Sequence, residues 1–283
     1  MKPCMAGACA LLLLTACHGK PAKINPFDAL TQLVDSAAHP VDSLAGTTID
    51  KGPVPMKADE IFDDFILAFA TDRQMQLERI VFPLPFYNQD QPLKIEQKDW
   101  KFDPLFATQH YYTLFFDCEE DMDMVQDTSL TSVQFEWIEM KTNTLKKYYF
   151  ERKKGAWMLE AINRHLIAPQ ENEDFIEFFH RFVNDSVFQQ ERVARWVTFV
   201  TNDPEDEFSI LESQIGQDQW PAFRPALPHE RLSNINYGQR NQASSATKIL
   251  SIKGVDNNEF TTFYFRRRPD KNWELHKFED LTN

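Results

Sequence analysis

The chain repeats itself, and that repetition limits its folds more than any other property. Moving 113 positions along turns Phe62, Phe65, Phe69, Asp72, Gln76, Glu78 and Arg79 into Phe175, Phe178, Phe182, Asp185, Gln189, Glu191 and Arg192. Seven identities in one register, in so short a window, indicate a duplicated unit. Phe62, Phe65 and Phe69 fall at i, i+3 and i+7, the stripe of an amphipathic helix. Asp63 and Asp64 suit the positive end of that helix, and Asp72 fits an N-cap opening a second short helical segment. Residues 76–84 then read as strand-like, with Ile80, Val81 and Phe82 stopped by Pro83 and Pro85.

Later landmarks repeat too. Gln97-Lys98-Asp99-Trp100 is echoed 120 positions on by Gln217-Asp218-Gln219-Trp220, each Trp placed on a short helix or turn. Strand patterns follow. Residues 110–118 put Tyr112, Leu114, Phe116 and Cys118 on one face, and residues 131–140 group Val133, Phe135 and Trp137. Residues 145–152 and 156–162 form a hairpin around Lys153-Lys154-Gly155. The second copy answers with residues 247–252, 261–267 and 273–278, where Tyr264-Phe265 and Trp273 match Tyr149-Phe150 and Trp157. Helices first and then an antiparallel meander define an α+β unit, its helices packed on one face of a curved sheet. The expected division is residues 58–168 and 169–283, joined by the polar stretch Ala168-Pro169-Gln170-Glu171-Asn172.

Ahead of the repeats, Met1-Lys2 is a minimal positive n-region and residues 6–16 a short apolar run, too brief to span a bilayer. The run ends Leu14-Thr15-Ala16-Cys17, which resembles the bacterial lipobox. The resemblance implies removal of residues 1–16, a diacylglyceryl group on the Cys17 thiol and acylation of the new amine. Plural acyl chains make such an anchor stable. His18-Gly19-Lys20 carries no Asp at the sorting position, which by resemblance implies the outer membrane, facing the periplasm. Residues 17–57 hold five prolines among Ala, Ser, Thr and Asp and read as a flexible tether with a reach of roughly 35 Å.

Composition excludes several functions. A net charge of −13 disfavours nucleic acid, whose binding rests on phosphate neutralisation, and gives no general attraction to anionic lipid. Only 8 Gly occur, with no G-x-G-x-x-G and no Walker loop, against nucleotide binding by those routes. Of four cysteines, three lie within the first seventeen residues, so with Cys17 acylated the folded part has Cys118 alone and no disulfide.

The pattern F-x2-F-x3-F-x2-D-x5-E-R-x3-P-L of Phe62–Leu84, with the aromatic strands after it, resembles a bacterial lipoprotein family of uncharacterised function. Element order and size resemble the nuclear transport factor 2-like (cystatin-like) superfamily. The resemblance implies two tandem domains of that fold, each a cone able to enclose a pocket. It implies no activity, since the fold hosts isomerases, dehydratases and pure binding modules.

Candidate residues are few. The seven histidines show no metal-ligand spacing, and neither a metal nor another cofactor is expected. Cys118, beside Asp117 and Glu119, reads as a structural thiol. Residues 117–127 are acidic but lack the Gly of a calcium loop, and read as a solvated hairpin tip. Arg152-Lys153-Lys154 and Arg266-Arg267-Arg268 read as solubilising strand ends or as a dock for an anionic partner. Glu78-Arg79 and Glu191-Arg192 read as ion pairs tying strand to helix. His110, Tyr112, Tyr149 and Tyr264 are pocket candidates for proton transfer. The expected function is binding of a small ligand or envelope protein, without nucleic acid and with membrane contact only through the anchor. The alternatives are an isomerase- or dehydratase-like acid–base pocket and a structural subunit of an envelope complex.

Overall fold

The computed structural model describes residues 53–282, except 240, 241, 243 and 256. Cys17, the signal and nearly all of the tether lie outside the described residues.

Helix α1 (Phe62–Thr71) buries Phe62, Phe65 and Phe69, together with Ile66 and Ala70. It stops at Asp72, whose carboxylate accepts the N–H groups of Gln74 and Met75 at 2.8 and 3.0 Å and opens α2 (Arg73–Glu78). Asp185 does the same for Val187 and Phe188 between α3 (Glu173–Asn184) and α4 (Ser186–Glu191). The expected cap is therefore present in both copies. The strand-like reading of residues 76–84 is corrected, because this cap carries the helix through Glu78. Ile80 makes one isolated bridge to Leu159, and β1 (Leu84–Asn88) begins only at Leu84.

The remaining strands are β2 (Gln91–Ile95), β3 (Tyr111–Phe116), β4 (Ser132–Glu139), β5 (Thr144–Lys153) and β6 (Ala156–Leu166) in the first copy. The second has β7 (Val193–Asp203), β8 (Asp206–Gly216), β9 (Arg231–Asn236), β10 (Thr247–Gly254), β11 (Phe260–Arg267) and β12 (Trp273–Asp280), with a short helix α5 (Trp220–Phe223) after β8. They form two six-stranded sheets, ordered β2-β1-β6-β5-β4-β9 and β3-β10-β11-β12-β7-β8. The meanders β4-β5-β6 and β10-β11-β12 are as expected. Two features go beyond them. First, β1 joins β6 and β7 joins β12 in parallel, so neither sheet is wholly antiparallel. Second, the copies exchange a strand. β3 pairs with β10 of the second copy, Phe116 opposite Ile249, while β9 pairs with β4 of the first, Ile235 opposite Phe135.

The exchange ties the cores together. Phe62, Phe65 and Phe69 pack edge-on to Phe150, with centroids 5.4, 5.6 and 5.3 Å apart, in a core that also takes Phe116, Ile249 and Tyr264 from the second sheet. Phe175, Phe179 and Phe182 surround Phe265 at 5.3, 6.1 and 5.6 Å, joined by Ile138 and Leu145 of the first sheet. Such aromatic pairs each add about 0.5–1.5 kcal/mol beyond area burial.

Three charge assignments change. The partner of Arg79 is the buried Asp59, at 3.0 Å, while Glu78 accepts from Gln74. The second copy has Asn172 where the first has Asp59, and its Arg192 stacks on Phe188, 5.1 Å from the ring centre. The acidic run is not uniformly a solvated tip, because Asp117 is buried against Lys248 of β10 and pins the end of β3. Among the basic tips, Lys153 pairs with Glu160 at 2.6 Å, Arg266 and Arg268 share Glu274, and Arg267 pairs with Asp174, so these cations answer the chain's own carboxylates.

Candidate functional site

The site in the first copy is built outward from Gln76. Its buried amide donates to Phe69 O and Asp103 O at 2.9 and 2.8 Å, and its oxygen accepts from Trp100 Nε1 and Asp103 N, both at 2.9 Å. Three of these four bonds hold the loop carrying Trp100 and Asp103 above the sheet, and the fourth ties Gln76 to helix α1. Beneath it lies a cavity of about 350 Å³, with apolar walls from Phe86, Ile95, Trp100, Phe102, Pro104 and Ile162.

Its polar edge is a relay. The fully buried Tyr148 of β5 donates to Asp103 Oδ2 and accepts from Lys146 Nζ, and that ammonium lies 3.5 Å from Asp103 and 4.5 Å from the Tyr148 ring centre. Asp103 Oδ1 accepts from Leu105 N at 3.1 Å. Burial, and then the Asp103 charge, push the Tyr148 hydroxyl well above its ordinary value, so it stays a donor.

The second copy keeps the frame and puts aromatic rings at the matching positions, while its own cavity of about 320 Å³ lies beside Gln189, Arg224 and Leu227. Gln189 donates to Phe182 O at 2.9 Å and accepts from Trp220 Nε1 at 3.2 Å, as Gln76 does with Phe69 and Trp100. Phe199 and Phe278 hold the paired ladder positions of Phe86 and Ile162, and Phe263 holds that of Tyr148. Phe223 stands three residues after Trp220, as Asp103 does after Trp100. These rings touch one another: Phe278 stacks on Phe199 at 5.2 Å and on Phe263 at 5.3 Å, and Phe199 meets Phe223 at 5.6 Å and Phe278 meets Trp220 at 5.7 Å edge to face. The frame therefore folds without the relay.

A second polar cluster uses the exchanged strands. Asp63 of α1 accepts from Tyr112 of β3 at 3.1 Å and from Tyr237 just after β9. It borders a cavity of about 130 Å³ with Asp64, Phe106, Tyr112 and Gly254. Burial pushes its carboxyl up, against the two tyrosine hydrogen bonds and the Lys253 charge.

Of the four proton-transfer candidates, only Tyr112 reaches this cluster. His110 is exposed, Tyr149 is buried, and Tyr264 donates to Glu279 at 3.0 Å with Lys277 over its ring. Cys118 is half-buried, its thiol pushed up by burial and by its hydrogen bond with Glu120. No group of three or more His, Cys, Asp or Glu among the described residues is arranged to hold a metal ion. Sequence reading passed over Asp103, Lys146 and Tyr148. The signal for them lay in departures between copies, Phe223 for Asp103 and Phe263 for Tyr148.

The chain is similar to known proteins over most of its length. A family described as a domain of unknown function, DUF4348, matches residues 41–280. The crystal structure of an NTF2-like protein from Bacteroides fragilis is 57% identical and superposes with a TM-score of 0.77 over 82% of this chain and 100% of that one. A search of the curated proteins finds no match. The chain thus belongs to the DUF4348 family, and its two sheets are tandem domains of the nuclear transport factor 2-like fold.

Proposed function

We propose that the protein is an envelope-anchored binding protein, held to the outer membrane through lipid on Cys17 and taking a small ligand in its first repeat. The observation that carries the ligand reading is the contrast between copies. One frame borders an aromatic-walled cavity of about 350 Å³ edged by Asp103 and Lys146, with Tyr148 buried behind them, while the matching positions of its twin carry the rings of Phe199, Phe223, Phe263 and Phe278. A mostly apolar cavity with a few convergent polar groups is the usual form of a small-molecule site. The lipobox-like Leu14-Thr15-Ala16-Cys17 supports the anchor, and the Pro-rich stretch to residue 57 supports a tether ahead of repeats at 58–168 and 169–283. No helix among the described residues is long and apolar enough to cross a membrane.

The test is uptake of N-phenyl-1-naphthylamine, a neutral fluorophore that brightens in apolar surroundings. The wild-type chain is expected to bind it at one site. Ile162→Phe, which copies Phe278 of the second repeat, is expected to abolish uptake, and retention of uptake by that variant would sink the assignment. Membrane fractionation of Cys17→Ala tests the anchor separately.

The runner-up is a lipid-anchored enzyme with an acid–base pocket. Asp63 favours it, since its carboxyl is pushed up between two tyrosine hydroxyls beside a cavity. Retention of full biological activity by Asp63→Asn would end that reading.

A further inference from the structure

The charges around the first-repeat cavity narrow its ligand. Asp99 and Asp103 are matched by Lys101 and Lys146, so the lining carries as many cations as anions. A charged ligand entering this space gives up its water and meets no surplus of opposite charge. All other lining side chains are apolar.

Within the relay, Asp103 and Lys146 are 3.5 Å apart and their side chains are 27% and 32% exposed, which leaves both open to a ligand. Tyr148 is committed to both neighbours, donating to one and accepting from the other. Lys146 has three N–H donors, and the Asp103 carboxylate has more lone pairs than its three bonds use.

Resting on the ligand reading above, we propose that the cavity takes an uncharged, flat, mainly apolar molecule with one hydroxyl group, which donates to Asp103 and accepts from Lys146. A hydroxyl does both at once. A ketone only accepts and leaves Asp103 unanswered. A carboxylate is repelled by Asp103, and an ammonium by Lys146. The flat body follows from the aromatic rings in the lining, those of Trp100 and Phe102 from the loop and Phe86 from the sheet.

The experiment is competition on the full-length chain at pH 7, with N-phenyl-1-naphthylamine bound. The competitors share one body and differ in the head: 1-naphthol, 1-acetylnaphthalene, 1-naphthoate, naphthalen-1-ylmethylammonium and 1-methylnaphthalene. A hydrogen bond to a charged group is worth about 1.5–3 kcal/mol, so 1-naphthol is expected to displace the probe at a concentration about ten-fold or more below the rest. Asp103→Ala and Lys146→Met are each expected to erase that advantage while still taking up the probe, with thermal melts confirming the fold. Equal displacement by 1-naphthol and 1-methylnaphthalene would overturn the hydroxyl assignment and leave the cavity as a ligand site. Strongest displacement by the ketone, the carboxylate or the ammonium would replace the hydroxyl by that class. Failure of the wild-type chain to take up the probe would remove the ligand reading itself.

Discussion

Thr113 and Ser233 stand 120 positions apart, occupy the same place in the two repeats, and hydrogen-bond to each other. Thr113 N donates to Ser233 Oγ at 2.7 Å, and Ser233 Oγ donates to Thr113 O at 3.2 Å. The exchanged strands β3 and β9 thus lie side by side at the point about which the copies are related. Asn234 adds to the seam, accepting from Phe115 N at 2.9 Å and donating to Glu136 at 2.8 Å.

Neither repeat has its whole sheet in its own sequence. Chains cut between residues 168 and 169 are expected to be unfolded or aggregated when made singly, and to form a folded one-to-one complex when made together. Size-exclusion chromatography with circular dichroism checks this, and two soluble, folded monomeric halves would count against the exchange.

Asp59 is a structural hub. It accepts from Arg79 at 3.0 Å, from Trp157 N at 2.9 Å and from Met56 N at 2.6 Å. Asp59→Ala leaves a buried guanidinium without its counter-charge and is expected to cost about 3–5 kcal/mol in urea unfolding. Asn172 at the matching place makes no ion pair and instead accepts from Lys248 Nζ at 2.6 Å, so Asn172→Ala is expected to cost about 1.5–3 kcal/mol.

Asp63 sets a pH dependence. Its folded carboxyl lies above the ordinary 3.8, mainly through burial. The folded state therefore binds the proton more tightly than the unfolded one, and this contribution is full below pH 3.8 and lost as pH rises through the folded value. Asp63→Asn keeps an acceptor for Tyr112 and Tyr237 and does not titrate. Urea midpoints from pH 4 to 8 are expected to show the variant gaining on the wild type as pH rises, whereas a constant difference would remove Asp63 as the cause.

Phe278 and Phe208 separate packing from exposure. Phe278 is fully buried among Phe199, Phe263 and Trp220, so Phe278→Ala is expected to cost about 3–5 kcal/mol. Phe208 on edge strand β8 is 90% exposed, and Phe208→Ala is expected to stay within about 0.5 kcal/mol. Thermal melts of the two variants give the comparison.

The sequence made the repeated helices legible because Phe62, Phe65, Phe69 and the Asp72 cap are local signals, readable within a few turns. It also made the meanders legible, through the alternation of Val133, Phe135 and Trp137. The exchange was not legible. Tyr111–Phe116 alternates in the same way whichever sheet it joins, and its partner is chosen by distant contacts such as Asp117 with Lys248. The relay was hidden for another reason. Asp103 sits in a loop without periodicity, and only its replacement by Phe223 in the other copy marks it as something the fold does not require.

Strand exchange also dictates an order of events in time. Lys248, the buried partner of Asp117, follows it by 131 positions. At about 5–20 residues per second, synthesis leaves β3 without its neighbour for on the order of ten seconds or more. Through that interval Leu114, Phe115 and Phe116, all buried in the finished protein, have no sheet to join. The first repeat must stay open until nearly the last strands arrive, so the chain closes both halves late and together, and neither can serve as a template on which the other is built.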